Sequence, residues 1–152
     1  MKVEMRPAKS ADLLSIVRLL ADDFLGQQRE DLSEPINENY IKAFREIEAD
    51  PNNELIVAEL DSKVIGTLQL IVTPSLSYQG SKRSIVESVR VDSALRGQGI
   101  GREMMLWAIE RAKERGCVSM HLTSHNDRTD AHRFYEKLGF SKSHVGMKLS
   151  LK

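Results

Sequence analysis

The chain has 152 residues, 41% of them hydrophobic and 29% charged, which is one globular domain's worth and too apolar for a disordered chain. Its 22 Lys and Arg balance 22 Asp and Glu, so it lacks the basic surplus expected of a nonspecific nucleic-acid binder. A single cysteine, Cys117, excludes an intrachain disulfide framework and a multi-cysteine zinc site, and it suits a reducing cytoplasm.

The N-terminus, MKVEMRPAKS, has no signal-peptide apolar core, and nowhere do 18 uncharged apolar residues run together. A cytoplasmic location with no membrane partner is therefore expected. There is no repeat, low-complexity tract or linker rich in Gly, Ser or Pro, so residues 1–152 are expected to form one domain.

Residues 2–6 alternate weakly (Val3, Met5) and predict a first strand, ended by Pro7. Ser10 reads as a helix N-cap with Asp12 in the first turn. Leu13, Ile16, Val17 and Leu20 recur at helical spacing, so 11–24 predict an amphipathic helix. Residues 26–35 are polar and irregular. Tyr40, Ile41, Phe44 and Ile47 mark a second helix over 36–49, stopped by Asp50-Pro51. Residues 54–60 and 64–73 predict a hairpin about Asp61-Ser62-Lys63, and 82–92 predict a longer strand. Residues 102–115 predict a helix capped by Gly116; its stretch 104–109 is apolar on every side, which argues for deep burial. A strand over 118–123, a short helix over 130–138 closed by Gly139, and a last strand or hairpin over 140–151 follow. This order is mixed and does not alternate cleanly enough for a doubly wound parallel fold.

The most informative segment runs from Val89 to Arg102 (VRVDSALRGQGIGR). A strand ends, a short loop passes, and Gly97, Gly99 and Gly101 open a helix. Glycine lets backbone approach a ligand closely, and a helix start offers unpaired N–H groups at the positive end of its dipole. With Arg96 and Arg102 flanking it, the segment reads as a pyrophosphate cradle. Neither common nucleotide motif fits. Arg102 and Glu103 stand where a phosphate-binding loop needs Lys and then Ser or Thr, and Arg102 stands where a dinucleotide fingerprint needs glycine. The pattern present is Arg-x-x-Gly-x-Gly at Arg96, Gly99 and Gly101.

That pattern resembles the acetyl-CoA signature of the GNAT superfamily of N-acetyltransferases. A second stretch, DAHRFYEKLGF from Asp130 to Phe140, is similar to the family's other signature. The resemblance extends from about residue 64 to the C-terminus. It implies an α+β fold: a mixed, mostly antiparallel sheet of six or seven strands with about four helices around it. It implies acetyl-CoA as cosubstrate, held by Val89, Val91, Arg96, Gly97, Gln98, Gly99, Ile100, Gly101, Arg102, Asn126 and Tyr135. The strand over 85–92 would splay from that over 118–123 to admit the pantetheine arm. The Val89 N–H would meet the acetyl carbonyl and steady the oxyanion, with Val91 on the pantetheine amides.

Direct transfer to an amine suits a sequence whose Cys117 sits away from both signatures and which has no GxSxG element. An acceptor amine of pKa ~10.4 must lose its proton first, at a cost of roughly 4.6 kcal/mol at pH 7. Glu87 is the candidate base. By the period of two it should share a strand face with Val89 and Val91, and a Glu in an apolar strand suggests a polar cleft. Tyr135 is the candidate acid for the departing thiolate, because a phenol of pKa ~10 stays protonated at neutral pH. The expected reaction transfers acetyl to a primary amine of a small molecule; an aminophosphonate, a polyamine, or a protein N-terminus or lysine are alternative acceptors. A non-catalytic acyl-CoA sensor is the alternative of another class, and it would need the cradle without Tyr135 and Glu87. The resemblance also admits a homodimer.

His121 and His125 are four apart but fall on a strand and its following loop, and no HExxH pattern exists, so no metal site is assigned. The stretch from Leu122 to Tyr135 (LTSHNDRTDAHRFY) is similar to aminoalkylphosphonate N-acetyltransferases, whose activity is associated with divalent metal.

Overall fold

Residues 63–74 contain a near-continuous apolar run, and such a run forms a strand covered on both faces. The computed structural model, which describes residues 2–152, makes it the middle strand of a five-stranded sheet. Two compact units divide the chain, Met1–His121 and Leu122–Lys152.

The first unit contains β1 (Glu4–Pro7), α1 (Leu13–Ala21), α2 (Glu38–Ala49), β2 (Asn53–Leu60), β3 (Lys63–Pro74), the single turn α3 (Ser77–Gly80), β4 (Lys82–Val91), α4 (Ile100–Glu114) and β5 (Cys117–His121). The strands lie in sequence order, antiparallel from β1 to β4 and parallel from β4 to β5. A parallel pair needs a crossover, and α4 supplies it. α1 packs on β3 and β4, α2 on β2, and α4 on β3, β4 and β5. Ile65, Leu68 and Leu70 of β3, Val17 of α1 and Met104 and Met105 of α4 are sealed from solvent. Gly66 lets α4 come close: a Cβ there would stand 2.7 Å from Met104 Sδ.

The second unit contains α5 (Thr129–Lys137) and the segment after it. Tyr135 stands between Phe134 and Phe140, with ring centroids 5.2 and 5.9 Å away in edge-on geometry.

The α+β class is as the sequence predicts, but the sheet has five strands among the described residues, not six or seven. The missing strand is the one expected over 140–151, where the chain forms no ladder. Two further expectations need correction. Ser10 does not cap the first helix; the Lys9 N–H donates to Asp12 at 2.7 Å, and a 3-10 turn over Ser10–Asp12 leads into α1. α4 is not buried all round, because Leu106 is 39% exposed and only Met104, Met105 and Ala108 of residues 104–109 are sealed.

Candidate functional site

Seven of the predicted cofactor residues, Arg96 to Arg102, form one continuous stretch from the end of the 3-10 segment Ser93–Leu95 into the first turn of α4. Asp92 starts it by accepting the Ala94 N–H at 3.0 Å. Arg96 Nη2 donates to the Asp22 carbonyl at 3.2 Å, tying the loop to the end of α1. Gly97 and Gly99 have φ of 79° and 84°, and a Cβ on either would meet nothing within 4 Å. Glycine is thus required by the backbone angle, and the space beside the loop is open. Gly99 is the N-cap of α4 and its carbonyl accepts the Glu103 N–H at 3.1 Å. The N–H groups of Ile100, Gly101 and Arg102 lie in the first turn and have no partner within the helix. Ile100 is 3% exposed, so its side chain belongs to the core and only its backbone is available. Arg102 and Gln98 are exposed.

β4 leads into this turn. Its pairing with β5 ends at Ile85 opposite His121, so no strand lies along the β5 side of Val86 to Val91. On its other side β4 pairs with β3, with an interruption: Thr67 faces Arg90 and Gln69 faces Glu87. Ser88 and Val89 therefore stand against the single residue Leu68, a β-bulge, and Ser88 takes a left-handed φ of 52°. A bulge breaks the period of two. Glu87 shares its face with Arg90, whereas Val91, opposite Gly66, lies on the other. The expectation that Glu87 shares a face with Val91 is therefore overturned. Glu87 is exposed, and Val89 and Val91 are half-buried.

Arg90 escaped the sequence reading. Its guanidinium bonds the Val89 carbonyl at 3.0 Å and lies 3.7 Å from Asp23, so it braces the bulge against the end of α1. The signal was present: a charged residue between two valines of a partly buried strand.

Between α1 and the start of β3 lies a cavity of about 520 Å³, lined by Ser15, Arg18, Asp22, Lys63 and Asp92 among others. Its cations are matched, Arg18 by Glu34 at 2.9 Å and Lys63 by Asp92 at 3.8 Å, so it carries no surplus charge for an anion.

In the second unit Tyr135 is half-buried, its carbonyl accepting the Leu138 N–H at 3.0 Å, and Asn126 is exposed on the loop before α5. That loop is tied locally: the His125 ring accepts the Asp127 N–H at 3.1 Å, and the His132 ring meets the His125 carbonyl at 3.0 Å. Among the described residues no three His, Cys, Asp or Glu side chains converge as a metal site. No helix among them is long and apolar enough to cross a membrane.

A β4 strand that parts from its parallel neighbour and runs into a glycine turn at a helix start is an arrangement for a long phosphate-bearing ligand. The model of the acetyltransferase (GNAT) family matches residues 13–140, and the chain belongs to that family. It is an N-acetyltransferase by this membership. A curated relative, the aminoalkylphosphonate N-acetyltransferase of Salmonella typhimurium, is 35% identical over 112 residues, covering 71% of this chain and 72% of that one. The glucosamine 6-phosphate N-acetyltransferase of Trypanosoma brucei brucei is 30% identical over 89 residues, covering 59% and 58%. Among solved structures, one described as a transcriptional regulator from Bacillus halodurans C-125 superposes with a TM-score of 0.96 at 51% identity, covering 99% of this chain and 100% of that one.

Proposed function

We propose that the chain transfers acetyl from acetyl-CoA directly to the primary amine of a small molecule, and that this acceptor also bears a phosphonate or phosphate. The observation that carries the reading is the parting of β4 from β5 after Ile85, followed by the left-handed Gly97 and Gly99 and the open N–H groups of α4. In this reading the backbone of residues 96–102 and the side chains of Arg96 and Arg102 hold the pyrophosphate. Val89 and Val91 offer backbone groups to the acetyl and pantetheine arm. Glu87, at the open edge, takes the proton from the acceptor ammonium. Tyr135 returns a proton to the CoA sulfur, and Asn126 contacts the cofactor. The phosphorus-bearing acceptor rests on the names of the two curated relatives, both of which acetylate amines carrying a phosphorus oxyanion. The lone, half-buried Cys117 fits work in the cytosol.

A second reading, an acyl-CoA sensor that catalyses nothing, has one observation behind it: the description of the 51%-identical structure as a transcriptional regulator. The deciding experiment is thiol release from acetyl-CoA against aminoalkylphosphonates, amino sugar phosphates, polyamines, aminoglycosides, amino acids and short peptides, each with and without divalent metal. Turnover confined to phosphorus-bearing amines supports the reading. Turnover with polyamines or peptides instead replaces the acceptor but keeps the reaction. No release from any amine, with acetyl-CoA still raising the melting temperature, favours the sensor.

A further inference from the structure

Lys82 and Arg83 are adjacent in the sequence, but the strand sends them to opposite faces of the sheet. From Lys82 to Glu87 the ladder of β4 with β3 runs without interruption, with Arg83 opposite Thr73 and Glu87 opposite Gln69. Arg83, Ile85 and Glu87 therefore share one face. In the parallel ladder Arg83 stands opposite Ser119 and Ile85 opposite His121, which brings Ser119 and His121 of β5 to that same face. Ser119 Oγ and His121 Nε2 are hydrogen-bonded at 2.9 Å. Two arginines of β4 occupy this face and they differ. Arg90 bonds the Val89 carbonyl and faces Asp23 at 3.7 Å. Arg83 is half-buried, and its Nε is sealed from solvent without a hydrogen-bond partner among the described residues. A cation taken out of water without a counter-charge is costly, and a ligand that brings the charge removes that cost.

We propose that Arg83, with Ser119 and His121, is the subsite for the phosphorus oxyanion of the acceptor, and that it sets the preference for amines bearing such a group. The proposal rests on the reading of Glu87 as the base of acetyl transfer to a phosphorus-bearing amine. The guanidinium presents its N–H groups in a planar fork that two phosphonate oxygens accept together, and the Ser119 hydroxyl and the His121 ring are donors for a third. Arg83 and Glu87 lie four residues apart, about 13 Å along the strand, with only Ile85 between them on this face. Their two side chains span part of that interval and leave the length of a short carbon chain between amine and phosphorus. A carboxylate would fill the fork but leave the Ser119 and His121 pair unused, so the tetrahedral phosphorus group is the better match.

The test is steady-state kinetics of the full chain at saturating acetyl-CoA, comparing 2-aminoethylphosphonate with ethylamine, which lacks only the phosphonate. Arg83→Gln should raise the KM for 2-aminoethylphosphonate at least tenfold and leave its kcat, the KM for acetyl-CoA and the turnover of ethylamine unchanged. Arg83→Lys, which keeps the charge but loses the fork, should fall between. An equal effect on both amines, or none on either, would overturn the proposal, as would a parent protein that prefers β-alanine, the carboxylate of the same length. If no amine is acetylated, the acetyl-transfer reading has failed and binding decides the subsite alone. Methylphosphonate titrated into the protein saturated with CoA, so that the pyrophosphate cradle is filled, should bind the parent and bind Arg83→Gln at least tenfold more weakly; no binding to the parent, or equal Kd values, would overturn the subsite. Should Arg83→Gln fail to fold by circular dichroism, Ser119→Ala takes its place in both assays, with an expected rise of about 3–10-fold. No change in that variant would overturn the proposal as well.

Discussion

The two sides of the sheet use their polar groups in opposite ways. At the β1 side, Arg6 grips Asp12 through two bonds of 2.8 and 3.0 Å and Glu59 through one of 2.6 Å, and Asp12 also accepts the Lys9 N–H. Arg6 also donates to the Pro7 carbonyl at 3.2 Å, so its guanidinium is spent on side chains and backbone of its own unit. At the β4 side, pairing with β5 ends after Ile85, a bulge turns Ser88 left-handed, and the chain runs into a loop where a Cβ on Gly97 or Gly99 would meet nothing within 4 Å. The comparison teaches that this fold ties up its charged side chains near β1 and leaves the ladder interrupted along β4, where the proposed reading puts the cofactor. The split can be tested by measuring stability and activity separately on each side.

The largest effect is expected from Tyr135→Phe. If Tyr135 is the acid of the proposed reaction, loss of the phenolic proton should lower kcat by about 10²–10⁴-fold while acetyl-CoA still raises the melting temperature. Unchanged turnover from neutral to alkaline pH would remove Tyr135 from the reaction.

At the finished side, Asp12→Asn should cost about 1–3 kcal/mol by urea unfolding, because Arg6 and the Lys9 N–H lose a charged acceptor, and the KM for acetyl-CoA should stay the same. The sign of the pH dependence follows from the same contact. Arg6 holds the Asp12 carboxyl below its ordinary range, against the opposing effect of burial. Its contribution is therefore complete above about pH 4, where the unfolded carboxyl is ionised, and is lost as pH falls through the depressed folded value. Urea midpoints measured from pH 6 down to 2 should fall for the parent and fall less steeply for Asp12→Asn; parallel curves would show that Asp12 does not carry the acid sensitivity.

A matched pair of glycines separates backbone strain from ligand contact. Gly99→Ala and Gly116→Ala place a Cβ at φ of 84° and 79°, each with nothing within 4 Å, so each should cost about 1–2 kcal/mol. Only Gly99→Ala should raise the acetyl-CoA Kd, by tenfold or more in a calorimetric titration, because only its Cβ enters the proposed pyrophosphate cradle. Equal Kd values for the two variants would move the ligand elsewhere.

The smallest effect is expected at the bulge. Ser88→Gly should stabilise the chain by up to about 1 kcal/mol, since glycine adopts a φ of 52° without strain, whereas Ser88→Val should destabilise it. A destabilised glycine variant would mean that the serine side chain holds the bulge in place.

Much of this was legible in the residues themselves. Leu13, Ile16 and Val17 recur at helical spacing, and they are buried on α1. The glycines at 97, 99 and 101 marked a backbone that needs left-handed angles before a helix, and Gly97 and Gly99 adopt them, whereas Gly101 lies within α4. Both signals are local, since periodicity and glycine act within a few residues of chain. The bulge at Ser88 was not legible. Serine has no preference for positive φ, and the extra residue exists only in the register between β3 and β4, so the face of Glu87 was misassigned with it. The missing strand failed for a related reason. Residues 145–151 carry a strand's alternation, but alternation says which face wants burial and not whether a partner is there.

Helix and strand periods and the glycine pattern thus determined the mixed order of elements and the location of the glycine turn, because each is set by short-range sterics and by the partition of apolar side chains from water. Only the tertiary structure decided where β4 leaves β5, which residues bulge, that Arg90 braces the bulge on Asp23, and that the final strand stands without a ladder. Those outcomes depend on which distant segment supplies each hydrogen-bond partner, and no residue carries that information alone.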